Sequence, residues 1–356
     1  MSPRRPQPAR QASLRAHNLA LVFGEVADRG PASRAAIAAA TGLTKASVSS
    51  LVDTLIDGHL LTELGPAPQG RIGRPGSVLG LSPDGPVGVG LELNVDYLAT
   101  TTVGLSGHLL ARELIAVDLR GYPVDEVIAR AAAVLRRALD QAPAPVAGVG
   151  VALPGLVDTD GGLLRLAPNL GWRDVPVLAE LRARAGLGDL PLRVDNEANL
   201  AALAELWFGE HRTPEGAPLT TFVHVSGEVG VGAGIVVRGE LFRGARGFGG
   251  EIGHLPVRTD GPRCRCGAVG CLEQAAGLEA ILRAAAPEHG PPPDGVHDSG
   301  PEAGLAGVIH RAETGQPGAL QAIRQAGTWL GVAISSLLNV VDVGAVVLGG
   351  IYGRLA

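Results

Sequence analysis

Aromatic side chains are scarce in this chain: Phe, Tyr and Trp together make up 3% of its 356 residues. Hydrophobic residues nevertheless reach 46%, so its cores must be built from Val, Leu, Ile and Ala. Cysteine is scarcer still. There are three, all in one short run, and an odd, clustered set excludes the disulfide framework that staples small secreted domains. A secretory signal is not expected either, because the first residues are polar, basic and proline-rich with no apolar stretch. One long apolar run exists, Gly331 to Gly350, but Ser335, Ser336, Asn339 and Asp342 interrupt it. A buried helix followed by a buried strand is expected there rather than a membrane span. The expectation is a cytoplasmic protein with no membrane partner.

A chain of 356 residues is too long for one ordinary domain. Its net charge of -5 is unevenly spread: through Ser82, nine Lys and Arg face five Asp and Glu, and the remainder carries 21 against 30. A basic head on an acidic body is expected when the head meets a polyanion. Arg4, Arg5 and Arg10 equally read as a solvated tail.

Helical periodicity begins near Leu14. Leu19, Val22, Phe23 and Val26 fall on one helix face, and Gly30-Pro31 ends it. Ser33 suits an N-cap for a short helix through Ala40. Thr41-Gly42-Leu43 breaks the chain, and Thr44 caps a helix whose buried face holds Val48, Leu51, Val52 and Leu55. Helix, Gly-containing turn and helix form the signature of a helix-turn-helix, although any small helical bundle shows a similar pattern. In that motif the start of the second helix reaches base edges in the major groove. Those residues here are Thr44, Lys45, Ala46 and Ser47, with Ser49 and Ser50 behind them, and Lys45 is the only lysine in the chain. Leu60, Leu61 and Leu64 then read as a strand, Gly65 to Arg74 as a Gly/Pro-rich tip carrying Arg71 and Arg74, and Val78 to Leu81 as a returning strand. A basic-tipped hairpin in this position is a wing suited to a narrow minor groove; the alternative is an interdomain linker.

From Pro86 strands and helices alternate. Val87–Leu93, Tyr97–Leu105 and Leu109–Leu119 read as a strand meander, Val124–Leu139 as a helix and Val146–Leu153 as a buried strand. A second set of strands starts near Thr221 and Ile235, and helices follow Glu273. Two related α/β lobes around a ligand-holding cleft are expected, with Ala286–Gly304 as a surface loop. Cys264, Cys266 and Cys271 use every cysteine in the chain, and His254 lies ten residues upstream. Cys3His is a common closed structural zinc site; three free thiols in a loop is the alternative.

These residues resemble the ROK proteins (repressors, open reading frames and kinases). The resemblance rests on Ala167-Pro-Asn-Leu-Gly-Trp172, Val194-Asp-Asn-Glu-Ala-Asn199, Gly250-Glu-Ile-Gly-His254 and Cys264 to Glu273. The head resembles the repressor branch, the xylose and N-acetylglucosamine repressors among them, down to Ser33-Arg34 and Gly73-Arg74-Pro75. The resemblance implies an α+β multidomain fold. An N-terminal winged helix-turn-helix (13–82) follows a disordered basic tail (1–12) and precedes a two-lobed actin/hexokinase-like, ribonuclease H-like α/β body (83–356). It implies His254, Cys264, Cys266 and Cys271 as ligands of a structural Zn2+. It also implies Asn169, Asn196, Glu197, Glu251, His254 and Glu273 as the sugar-binding set, and it adds Ser33 and Arg34 to the DNA-contacting residues. The implied partners are a near-palindromic double-stranded operator, a sugar effector and a second or further copy of the chain, as a homodimer or homotetramer. The family pattern usually continues in helix past Val346–Ile351, so a second lobe short of its closing helix is expected.

Two functional classes remain, a sugar kinase and a sugar-sensing repressor. A kinase must cradle ATP phosphates with glycines. ROK kinases carry Asp-x-Gly-Gly-Thr, and the matching stretch here is Glu92-Leu93-Asn94-Val95-Asp96, without either glycine. Gly230-Val-Gly232-Ala-Gly234 keeps part of a second phosphate loop, though such a run also makes tight turns. Glu197 stands at the position of the kinase base, one methylene longer than the usual Asp, and catalysis is sensitive to such a shift. A sensor without useful kinase activity or bound ATP is expected. A body that binds nothing and serves dimerisation is a third reading.

Overall fold

The computed structural model describes residues 11–66, 77–285 and 300–356. Arg71 and Arg74, with most of the wing, lie outside the described residues.

The head contains α1 (Gln11–Arg29), β1 (Ala32–Ser33), α2 (Arg34–Thr41), α3 (Lys45–Asp57), β2 (Leu61–Pro66) and β3 (Ser77–Leu81). Helix α1 begins inside the segment 1–12 read as a tail, because Gln11-Ala-Ser-Leu-Arg15 is a run of adequate helix formers. Ser33 caps α2 as expected, its Oγ accepting from the Ala36 amide. Helix α2 stops at Gly42, whose φ of 72° is left-handed and lets its amide reach the Ala38 carbonyl. Thr44 caps α3 in turn, accepting from the Ser47 amide. Val48, Leu51, Val52 and Leu55 then face Val22, Val26 and Ile37 in one buried cluster closed by Leu61 and Leu79. Each such aliphatic side chain contributes roughly 2 kcal/mol by leaving water. The sheet order is β1-β3-β2, and β1 pairs Ala32 with Leu79.

The body runs β4 (Val87–Leu93), β5 (Tyr97–Val103), β6 (Leu109–Ala116), α4 (Val124–Asp140), β7 (Val146–Leu153), β8 (Leu156–Asp158), β9 (Leu163–Ala167), β10 (Trp172–Val175), α5 (Val177–Ala185), β11 (Leu192–Asn196) and α6 (Glu197–Phe208). It continues with β12 (Phe222–Gly227), β13 (Val231–Val237), β14 (Glu240–Leu241), a 3-10 turn (Ile252–His254), α7 (Glu273–Ala276), α8 (Leu278–Ala284), α9 (Gly300–Glu313), α10 (Pro317–Val341), β15 (Val346–Gly350) and α11 (Ile351–Leu355). One sheet has the order β11-β7-β4-β5-β6, a second β14-β13-β12-β15, and a small third β10-β9-β8. Strand β11 runs parallel to β7, and β15 parallel to β12.

Of the stretch read as a surface loop, residues 286–299 lie outside the described residues, and 300–304 belong to α9 instead. Pro301 and Glu302 are favourable first-turn residues that the Gly/Pro-rich composition masked. The apolar run from Gly331 divides between α10 and β15, but it is not the buried helix and strand expected, since Val332, Val340 and Leu348 are exposed. Among the described residues, no single helix is long and apolar enough to cross a membrane.

The chain forms two compact units: Met1–Val89 with Thr101–Arg112 and Ala138–Gly148, and Gly90–Thr100 with Glu113–Arg137 and Val149–Ala356. In the second, β12 and β13 lie between two apolar layers. Val223, Val225, Ile235, Leu272, Ile281 and Ala326 belong to the larger. Phe222, Val236, Val347 and Ala202 of α6 make the other.

Candidate functional site

The second unit contains a pocket, and all six residues expected to bind sugar line it: Asn169, Asn196, Glu197, Glu251, His254 and Glu273. They arrive from the β9–β10 turn, the end of β11, the start of α6, the 3-10 turn and the start of α7. A groove beside α10, bordered by Leu320, Arg324 and Trp329, has no carboxylate in its lining among the described residues.

Asn196 ends β11 and caps α6. Its Oδ1 accepts from the amides of Ala198 (2.9 Å) and Asn199 (3.3 Å), while its Nδ2 donates to the Gly155 carbonyl at 2.9 Å. Sequence reasoning missed the residue before it. Asp195 is buried, accepts from Asn199 Nδ2 at 3.0 Å and pairs with Arg243 at 2.5 Å, tying the Gly-rich segment after β14 to the start of α6. Only the fold brings Asp195 and Arg243 together.

Glu197 is the first residue of α6. Burial, followed by the charges of Glu92, Glu228, Glu251 and Asp96, pushes its carboxyl up to about 8. At neutral pH it is therefore mostly a protonated acid, able to donate. The folded chain holds this proton where the unfolded chain, with its ordinary value of 4.5, releases it. Stability from this group is thus greatest below 4.5 and falls as pH rises towards 8. Glu197→Gln, which carries no charge at any pH, is expected to flatten that slope. The check is the difference in melting temperature between variant and parent across this range; a constant difference refutes the assignment.

Glycines shape the floor. A Cβ on Gly230 would stand 2.8 Å from Glu273 Oε2 and 3.5 Å from Asn169 Nδ2, so a side chain there would push the Glu273 carboxyl from its place over the β12–β13 turn. Gly232 and Gly234 have a different role. They lie within β13, where a Cβ would meet Ala198 Cβ at 2.8 Å or Ala202 Cβ at 2.4 Å. Part of the Gly-x-Gly-x-Gly run thus lets α6 sit tightly on the sheet.

His254 borders the pocket and faces the cysteine loop. Its Nδ1 is 3.8 Å from Cys264 Sγ, and Cys266 Sγ is 3.7 Å from Cys271 Sγ. All four donor atoms lie within 4.8 Å of one another. A tetrahedral metal bound to sulfur at about 2.3 Å separates its ligands by about 3.8 Å, so this cluster can hold a metal ion. A turn closed by Gly267 N to Cys264 O (2.9 Å) presents the thiols. Burial pushes the Cys271 thiol up to about 12, so a cation is needed to make it an ionised ligand. The other ring nitrogen, Nε2, lies 4.0 Å from Glu251 Oε2. The imidazole therefore stands between the metal cluster and the pocket.

On the head, Lys45, Ser47 and Ser50 are exposed along α3, and Ser49 is half-buried. Ser47 Oγ also lies 2.9 Å from Thr44 Oγ1, within the cap. Arg34 is engaged inside the head: its guanidinium meets Glu63 at 2.7 Å and Asp53 at 3.2 Å, linking α2, β2 and α3.

Comparison with known proteins gives a consistent result. The chain is 32% identical to a putative xylose repressor of Caldicellulosiruptor sp. (strain Rt8B.4), over 95% of this chain and 84% of that protein. Its fold resembles a crystal structure of a ROK family transcriptional regulator, a homologue of the E. coli MLC protein. The TM-score is 0.73 at 27% identity, covering 96% of this chain and 85% of that one. It also resembles a ROK family glucokinase from Streptomyces griseus in complex with glucose and AMPPNP, at TM-score 0.60 and 28% identity, over 74% of this chain and 83% of that one. The ROK family model matches residues 88–353, and the chain belongs to the ROK family.

Proposed function

We propose that this protein is a DNA-binding transcriptional repressor of carbohydrate-metabolism genes, controlled by a sugar held in the pocket. One observation carries the reading: the similarity to a putative repressor and to a transcriptional regulator extends over the head as well as the body, 95% of the chain in one and 96% in the other, against 74% for the glucokinase structure. The head (13–82) reads a near-palindromic operator as a homodimer or homotetramer, with α3 in the major groove. Lys45, Ser47, Ser49 and Ser50 meet base edges or phosphate, and Arg71 and Arg74 enter the minor groove. Ser33 and Thr44 act through the helix starts they cap, and Arg34 braces the head. The body (83–356) binds sugar, Zn2+ fixes the cysteine loop, and cytoplasmic residence follows from the work on DNA. Repression responds to sugar because the DNA-bound and free states hold it with unequal affinity.

ATP-dependent sugar phosphorylation is the second reading, favoured by the glucokinase likeness and by Glu197 at the base position. Against it stand Asn94 and Val95 where a phosphate loop needs glycine. The deciding experiment selects DNA sites with the purified chain, with and without sugars, and assays the same preparation for turnover with Mg-ATP. An operator whose binding changes with one sugar supports the repressor; clear turnover without specific DNA binding replaces it with the kinase. Lys45→Ala is expected to weaken operator binding about tenfold and reduce the salt slope by about one. Unchanged binding in a salt titration counts against this docking.

A further inference from the structure

A cation of the cysteine loop reaches a pocket residue from outside the pocket. Arg265 lies between Cys264 and Cys266, in the hairpin tip that Cys264 N closes to Ala268 O at 2.8 Å. Two members of the metal cluster therefore hold its backbone, one on either side. Its Nη1 donates to Asn169 Oδ1 at 3.1 Å, 96 positions away in sequence. Its Nη2 lies 3.9 Å from Glu279 Oε2 on α8, and Arg120 donates to the other oxygen of Glu279 at 3.0 Å. Arg120 is in turn forked onto Asp118, at 2.8 Å through both Nε and Nη2.

The Arg265 contact fixes which way the Asn169 amide faces. A guanidinium has donors only, so the atom that meets it is the amide oxygen. The amide nitrogen is thereby turned the other way, over Gly230 and beside Glu273, whose carboxyl accepts a hydrogen bond from it. Donation thus runs from Arg265 to Asn169 to Glu273, and reversing the amide would set its oxygen against a carboxyl oxygen. A sugar entering the pocket competes for Glu273 and for the Asn169 amide, since both side chains line it. Arg265 is not among the described residues that line the pocket, so its hold on Asn169 persists when a ligand enters.

We propose that Arg265 is a positioning residue of the effector site: anchored between two cysteines of the metal cluster, it holds Asn169 with its amide nitrogen turned towards Gly230 and Glu273, and so makes the cysteine loop a second support of sugar binding beside His254. This rests on the sugar-sensing reading and deepens it. The contact is not a prop of the fold. The Arg265 side chain is 45% exposed and that of Glu279 48%, and ion pairs in such a setting contribute little to stability because water and salt screen them. What Arg265 governs is the hydrogen-bonding face that a ligand meets, where a reversed amide leaves a sugar hydroxyl with the wrong partner.

The test is a double-mutant cycle, read by calorimetric titration of the full zinc-loaded chain. The ligand is whichever binds the parent most tightly among D-xylose, D-glucose, N-acetyl-D-glucosamine and the terminal phosphate ester of each. Arg265→Ala is expected to weaken it about fivefold, with zinc content and melting temperature at parental values. Arg265→Lys, which retains a donor, is expected to recover part of the loss. On an Asn169→Ala background, removing Arg265 is expected to change affinity by no more than about twofold, because the side chain it positions is gone. Parental affinity in Arg265→Ala overturns the inference and leaves the sensor standing. A loss of the same size on both backgrounds also overturns it, since Arg265 then acts on the ligand through its charge. So does a loss accompanied by lower zinc content and melting temperature, since the loop itself has then come apart. Binding of none of these compounds by the parent overturns the sensor and the inference together.

Discussion

Cys271→Ala is expected to abolish metal binding and lower the melting temperature by about 10 °C, the largest effect of any single side-chain truncation in the body. Cys271 is fully buried, and its Sγ lies 3.7 Å from Cys266 Sγ and 3.6 Å from the carbonyl oxygen of His254. Losing one ligand from a closed four-ligand site leaves the others unable to hold the ion. The loop then keeps little besides short backbone contacts such as Cys264 N to Ala268 O at 2.8 Å. The damage spreads because Cys271 leads directly into Leu272 and Glu273, and Leu272 belongs to the main apolar cluster. Metal content per chain and thermal midpoint are the two readouts. Chelator-treated parent protein should melt near the variant. If it melts near the untreated parent, the cysteine acts only by packing and the metal reading fails. Sugar affinity should fall with the metal, since His254 loses the partner that fixes its ring.

Gly250→Ala ranks second. Its φ of 99° is disfavoured for any residue with a Cβ, and that Cβ would lie 2.0 Å from the Ala233 carbonyl oxygen. The obstacle is backbone in the middle of β13, not a side chain that can turn away. That same segment is anchored by Ala233 N to Gly250 O at 3.2 Å, so relief means unzipping it. Three residues on, Gly253 meets Val231 in the same way, with 2.1 Å to the carbonyl oxygen. The two glycines, one before the 3-10 turn and one within it, hold Glu251 and His254 close to the strand. A loss of about 3–5 kcal/mol is expected, with sugar binding gone even in the folded fraction. Denaturant unfolding gives the first and calorimetry the second. A variant with parental stability and sugar affinity would show that the turn tolerates a shift this geometry forbids.

Local rules make much of this legible in the sequence alone. The face of α3 follows from helical spacing, β4 and β7 from apolar runs bounded by turn residues, and the metal cluster from the economy of three cysteines and a nearby histidine. Strand β1 escaped notice because two residues have no periodicity; its existence is decided by β3, 45 or more positions away. The start of α9 was hidden by composition, although Pro and Glu in a first turn are helix-starting residues. In the pocket, the motif-bearing residues were readable and their supports were not. Asn94 contacts Glu197, and Arg243 contacts Asp195, only through a fold that juxtaposes strands distant in sequence. Nor could spacing separate the two uses of the Gly230–Gly234 run, which depend on whether a pocket side chain or an alanine of α6 lies above each glycine.

Lys45 is exposed on α3, and no other lysine exists in the chain. Apart from the α-amine, an amine-directed reagent therefore has one side-chain target in the entire protein, on the surface proposed to meet DNA. If that surface meets the operator, the rate at which that amine is modified is a direct meter of occupancy, readable without mutation or fused label. The same singularity means that a single acetyl transfer would remove every lysine charge the protein has, all of it from that surface.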